Sequence, residues 1–210
     1  MNNMKNFIKK NWHFIFVSYY LLCVLMYSIT LQKEPVLIIH AKLDDYIPFL
    51  EIFVIPYVMW YVYLFGSILL FGVKSRKTFF RFCLYAFTGM TFSYIVFFIW
   101  PNGIDFIPDL SELGRDNIFI WLTGVIHGSD LPRNVCPSLH CYSSIVIAIV
   151  TAKSRIFSKK IVIGSWVLSV SICLSTLFIK QHSVWDLFFA IVLAALLYPF
   201  TYCVKWKFAK

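Results

Sequence analysis

Ile161–Ile179 reads IVIGSWVLSVSICLSTLFI, and after Lys180 and Gln181 the chain runs from His182 to Cys203 as HSVWDLFFAIVLAALLYPFTYC. The first run holds no charged residue, and the second holds only His182 and Asp186 at its start. Each run is close to the ~20 apolar residues that a helix needs to cross a bilayer. Working outward from this pair, similar stretches recur over Trp12–Leu31, Ile47–Gly72, Thr78–Trp100 and Val135–Ala152. The fourth is the weakest in composition, because its uninterrupted apolar part is only Ile145 to Ala152 and Pro137-Ser138 reads as a helix start. A chain of 210 residues that is 60% hydrophobic, 20% aromatic and 14% charged is not built like a soluble domain. The expected fold is all-α, a polytopic membrane helical bundle with about six transmembrane helices. Residues 1–210 form a single integral membrane domain, since no linker, repeat or low-complexity segment marks a second.

Charge tests this topology independently. With a cytoplasmic N-terminus, the inner segments hold Lys5, Lys9, Lys10, Lys74, Arg76, Lys77, Arg81, Lys153, Arg155, Lys159, Lys160, Lys205, Lys207 and Lys210. These are 14 of the 19 basic residues, and no Asp or Glu lies among them. The outer segments carry the other five cations and all ten acids. That asymmetry predicts a plasma-membrane protein with both termini cytoplasmic. The net charge of +9 then reflects orientation, and no nucleic-acid partner is needed to explain it. Lysines followed by an apolar run without a small-residue cleavage site predict a retained first helix rather than a removed signal peptide.

Two outer segments connect the helices. Gln32–Tyr46 contains Asp44-Asp45 and leads into the second helix, where Pro56 either bends the helix or marks its true start. Pro101–Asn134 is long, and within it Leu113–Ile126 mixes Ile, Phe, Trp and Leu with Arg115 and Asp116. An outer-surface amphipathic helix and a lid packed over the bundle are both open readings of the stretch between helices three and four. Cys136 and Cys141 are read as free thiols, and no CxxC or HExxH spacing points to a metal. No cofactor is implied.

The chemistry-bearing residues gather at the outer ends of the last three helices. Pro137-Ser138-Leu139-His140 opens the fourth, and Ser175, Lys180, His182 and Asp186 span the junction of the fifth and sixth. Ionisable groups at such depth are costly unless they face a cavity. His182 and Asp186, four residues apart, share a helix face, and a carboxylate there can hold the imidazole in one tautomer. A histidine nucleophile, its carboxylate and a second histidine suit phosphoryl transfer through a phosphohistidine. His182 attacks phosphorus, Asp186 stabilises the imidazolium, and His140 protonates the departing oxygen before activating water or an alcohol. The equatorial oxygens need donors, for which Ser138, Ser175, the helix-opening N–H groups, Lys180 and Arg133 are candidates. Against this, Lys180 reads equally as an interface anchor and Arg133 as a solvated loop charge.

Pro137-Ser138-Leu139-His140 and Ser175-x6-His182-x3-Asp186 resemble the second and third motifs, P-S-G-H and S-R-x5-H-x3-D, of the type 2 phosphatidic acid phosphatase superfamily. Leu139 in place of glycine and Thr176 in place of arginine resemble the branch that includes inositol phosphorylceramide synthase and its bacterial relatives. So does the Ile47-Pro48-Phe49…Pro56-Tyr57…Trp60-Tyr61 stretch, so that the likeness covers about residues 44–200. Of the superfamily's first motif, K-x6-R-P, Pro108 keeps the proline with Ile107 in place of the arginine, and Phe92–Pro108 contains no Lys or Arg. Lys180, Arg115 or Arg133 then replaces the usual phosphate-gripping cations, or the substrate is a less charged phosphodiester. The resemblance implies a membrane-embedded lipid phosphatase that hydrolyses a lipid phosphate at the outer leaflet. The alternatives are a phosphodiester head-group transferase of the inositol phosphorylceramide or sphingomyelin synthase type, and a non-catalytic lipid-binding member.

Overall fold

The computed structural model describes residues 11–206; Lys5, Lys9, Lys10, Lys207 and Lys210, which enter the charge reading, lie outside the described residues. Seven helices follow in order: α1 (Tyr19–Leu31), α2 (Val54–Lys74), α3 (Arg76–Ile99), α4 (Ile118–Ser129), α5 (Leu139–Ser154), α6 (Lys159–Phe178) and α7 (Val184–Tyr202). A 3-10 segment, Trp12–Ser18, leads into α1, and a shorter one, Glu51–Phe53, leads into α2. With these extensions α1 and α2 join α3, α6 and α7 as five helices long and apolar enough to cross a membrane. The protein is an all-α helical bundle and an integral membrane protein.

The fourth expected span differs. Its helix begins at Leu139, four residues later than expected, and has 16 residues, about 24 Å at 1.5 Å per residue. That is short of a ~30 Å hydrocarbon core. The length fits its position, because α5 is the central helix and packs against α2, α3, α6 and α7. Ten of its residues are buried, so neighbouring helices rather than lipid surround it.

The outer faces of the other helices carry the exposed apolar residues, including Val62, Leu69 and Val73 on α2, Ile163 and Val167 on α6, and Ile191 and Leu196 on α7. Small hydroxyl residues face inward instead, among them Ser67, Ser93, Ser144, Ser165 and Ser169. Lipid outside and small residues at helix contacts is the pattern of a membrane bundle. At Gly89 of α3 a Cβ would lie 2.0 Å from the Tyr142 ring of α5, so only glycine admits that ring. The Tyr142 hydroxyl then donates to Tyr85 O, and the Tyr85 hydroxyl to Ala194 O, tying α3, α5 and α7 together.

Pro56 falls in the first turn of α2 and marks its start, where its missing N–H costs no helix bond. The two outer segments meet in a two-residue parallel pair, Leu37–Ile38 with Asn102–Gly103. Asn102, buried just past α3, accepts from Val135 N and Cys136 N and donates to Cys136 O. This side chain holds the segment that delivers Pro137 and Ser138 to the start of α5. The helix anticipated in the long outer segment is α4, which packs on α2 through Ile120, Thr123 and Ile126 while Ile118, Trp121 and Val125 face outward. It is both amphipathic and packed over the bundle, so the two readings of that segment merge.

Candidate active site

Asp186 sits in the first turn of α7, which Ser183 caps. Its Oδ2 accepts from Ser183 N at 2.9 Å and lies 3.0 Å from His182 Nδ1. A buried carboxylate can only accept, so the imidazole proton sits on Nδ1 and the lone pair on Nε2. Burial lowers the His182 pKa, but the hydrogen bond and charge of Asp186 outweigh it, and the net shift is upward. The ring is thus an oriented base with a free nitrogen, as its spacing to Asp186 predicts.

His140 is the second residue of α5, behind the N-cap Ser138. Its ring lies against Trp60 at 4.2 Å and Tyr57 at 4.7 Å between centroids, with the His182 ring edge-on at 5.7 Å. The two histidines and Asp186 therefore come together as the sequence reading expects. The two histidines open on a cavity of about 40 Å³, room for one or two waters, also lined by Tyr27, Asp130, Arg133, Asn134 and Gln181, with Asp186 buried behind His182.

The other candidates divide. Ser138 is fully buried, with its hydroxyl accepting from Cys141 N and its N–H donating to Asp186 O. Its role is to set the start of α5 and to join it to α7. Ser175 is buried in α6 and donates to Ile172 O, away from the cavity. Lys180 takes a left-handed backbone, φ 60°, and its ammonium donates to Asp44 O at 2.7 Å. Arg115, in the loop ahead of α4, pairs with Glu51 at 2.8 Å and does not line the cavity. Among the described residues, Arg133 is the only Lys or Arg that lines the cavity; it also holds Glu34 at 2.8 Å and Leu31 O at 3.3 Å.

Two acids not singled out by sequence reading complete the site. Asp44 is buried and accepts from the Ser183 hydroxyl at 2.6 Å, Val184 N at 2.9 Å and Ala41 N at 2.8 Å, clamping the start of α7 from the outer loop. Asp130 follows α4 and receives the Tyr27 hydroxyl at 2.8 Å and the Tyr57 hydroxyl at 2.5 Å. One of its oxygens stands 3.8 Å from His140 Nε2. Burial raises the Asp130 pKa, but the neighbouring His140 charge and the two tyrosine hydrogen bonds bring it below the usual carboxylate value. A signal for Asp130 exists in the sequence, since an acid at a helix C-terminus opposes the macrodipole and needs another reason to be there.

These contacts set one expected result. Asp44→Ala strips a buried acceptor from three donors, at about 1–3 kcal/mol for each group left unpaired, and should lower the midpoint of thermal unfolding in detergent markedly. Lys180→Met breaks a single bond to Asp44 O and should change turnover little. A large loss of turnover in Lys180→Met with an unchanged unfolding midpoint would return Lys180 to the reaction.

No family model, curated protein or solved structure matches this chain. The fold and the geometry of the site therefore carry the functional argument.

Proposed function

We propose that the protein is a membrane-embedded enzyme acting on a lipid phosphorus ester through a phosphohistidine at His182. The observation that carries this reading is the buried His182–Asp186 pair facing a second histidine across a small cavity. Binding alone needs no imidazole held in a fixed tautomer. In the first step, His182 Nε2 forms a bond to phosphorus as the bond to the leaving oxygen breaks, and His140 supplies a proton to that oxygen. In the second, water or an alcohol gives its proton to His140 and attacks phosphorus, and the P–Nε2 bond breaks. Hydrolysis of a lipid phosphate follows when water is the acceptor. The test is turnover of a labelled lipid panel by the purified protein, resolved by thin-layer chromatography with and without an alcohol acceptor. Absence of any product across the panel would leave the lipid-binding alternative.

One observation favours a phosphodiester substrate and head-group transfer. Among the described residues the cavity is lined by one Lys or Arg, Arg133, and also by the Asp130 carboxylate, which disfavours a doubly charged monoester. Asp130→Asn should raise turnover of a lipid monoester relative to a diester, whereas Arg133→Gln should slow both by roughly 10². An unchanged monoester-to-diester ratio in Asp130→Asn would remove this argument.

The orientation proposed is site outward and both termini cytoplasmic, at the plasma membrane. It is supported by the placement of the site at the end of the bundle opposite the basic segments 74–81 and 153–160. Ser129→Cys is exposed on the site side, and Cys203 is the exposed native thiol at the other end. An impermeant thiol reagent should label Ser129→Cys in intact cells and leave Cys203 unlabelled until the membrane is opened. The reverse order would invert the orientation.

A further inference from the structure

A cavity lined by basic residues lies at the opposite end of the bundle from the two histidines. It encloses about 560 Å³ between the start of α3, the end of α5 and the end of α7. Lys77 and Arg81 reach it from α3, Lys153 and Arg155 from α5, and Tyr198 and Tyr202 from α7. The positive-inside bias accounts for cations at this membrane face. It does not account for their convergence on one cavity. Four features of this arrangement point to a ligand. Segments 74–81 and 150–160 contain no acid, and among the described residues none of the four cations forms an ion pair with an acid. The Arg81 Nε is buried without a hydrogen-bond partner, and an unpartnered buried donor is costly. The guanidinium of Arg81 lies 5.2 Å from the Tyr202 ring and the Lys153 ammonium 5.4 Å from the Tyr198 ring, so the aromatic wall holds the cations at the cavity. Arg155 occupies the left-handed end of α5, φ 57°, a position where glycine is the unstrained choice.

We infer that this cavity is a second, non-catalytic site that binds a multiply charged phosphate group, presented by the head group of an anionic lipid. Converging like charges repel, and a polyanion removes that repulsion. The N-terminus of α3, capped by Ser75, adds its positive dipole end at the same place. Basic pockets between membrane helices at the water interface are the standard geometry for such head groups, whose acyl chains stay in the bilayer. The α5 helix, about 24 Å long, separates this site from His140. Occupancy here is therefore independent of the reaction proposed above.

The test uses the full-length protein in detergent micelles and native mass spectrometry. The probe is a short-chain phosphatidylinositol bisphosphate, with short-chain phosphatidylcholine as the neutral control. The bisphosphate lipid should bind in preference to the control and raise the unfolding midpoint. Arg81→Gln combined with Lys153→Gln should weaken binding roughly tenfold or more, while Lys33→Gln with Lys42→Gln, the same charge change at the far end, should leave it unchanged. Arg81 is packed, so the exposed pair Lys77→Gln with Arg155→Gln serves as the second variant. Inorganic pyrophosphate that displaces the lipid at equal concentration would support the phosphate site and identify a soluble anion as its source. Equal binding of both lipids, or unchanged binding in both double variants, would overturn the inference. Retained binding in His182→Ala separates this result from the fate of the catalytic proposal.

Discussion

His182→Ala is expected to abolish turnover, because it removes the atom to which phosphorus bonds in the proposed route. The loss should not come from unfolding. The α7 cap survives the change, since Ser183 N still donates to Asp186 Oδ2 and Asp44 still holds Ser183 and Val184. Incubation with a radiolabelled substrate should leave an acid-labile phosphoryl adduct on the native protein and none on the variant. Residues that act as a unit lose activity together, so removal of the nucleophile should leave only the background of binding and positioning, below roughly 1%. A folded His182→Ala protein with more than that would exclude the phosphohistidine route. Asp186→Asn should keep a trace of activity with a changed pH profile. In the proposed route the nucleophile is the neutral imidazole, whose pKa Asp186 holds above its ordinary 6.5, so turnover of the native protein should fall on the acid side at a pH above that value. Without the carboxylate charge the lowering effect of burial prevails, and the acid limb should move to lower pH. An acid limb that stays in place would mean that some other group controls it.

His140→Gln is expected to cost about 10² to 10⁴ in turnover, the range for a general acid–base group. Glutamine keeps most of the volume packed against Trp60 and Tyr57, so the bundle should hold its shape. The proton from His140 matters in proportion to the basicity of the departing oxygen. A nitrophenyl ester, which leaves without protonation, should therefore recover much of the loss in the first step. Equal losses with the nitrophenyl ester and with a lipid substrate would reduce His140 to a positioning residue.

Much of this was legible in the sequence because it is local. Apolar runs near 20 residues announce the spanning helices, and the observed boundaries of α6 and α7 fall within two residues of those read from composition. His182 and Asp186 lie one helical turn apart, and Ser183 with Asp186 is a cap within four residues, so their geometry follows from helix periodicity. Even the short α5 is foreshadowed by Pro137-Ser138, which can only open a helix there.

The directions of side chains in loops were not legible. Lys180 stands two residues before His182, yet a left-handed φ turns its ammonium to the Asp44 carbonyl, 136 residues away in sequence. Arg115 is taken by Glu51, and Arg133 keeps its place at the cavity while also holding Glu34. Asp130 stands out in sequence only as an acid at a helix end, and its partners are set when α1 and α2 bring the Tyr27 and Tyr57 hydroxyls to it. Sequence alone determined the membrane bundle, the common end of its helices where the chemistry gathers, and the His182–Asp186 pair. Only tertiary structure decided which charges face the cavity. Helix period and hydrophobicity act within a turn or two of chain, whereas the partner of a loop charge is set by contacts across 60 to 140 residues, which no local propensity encodes.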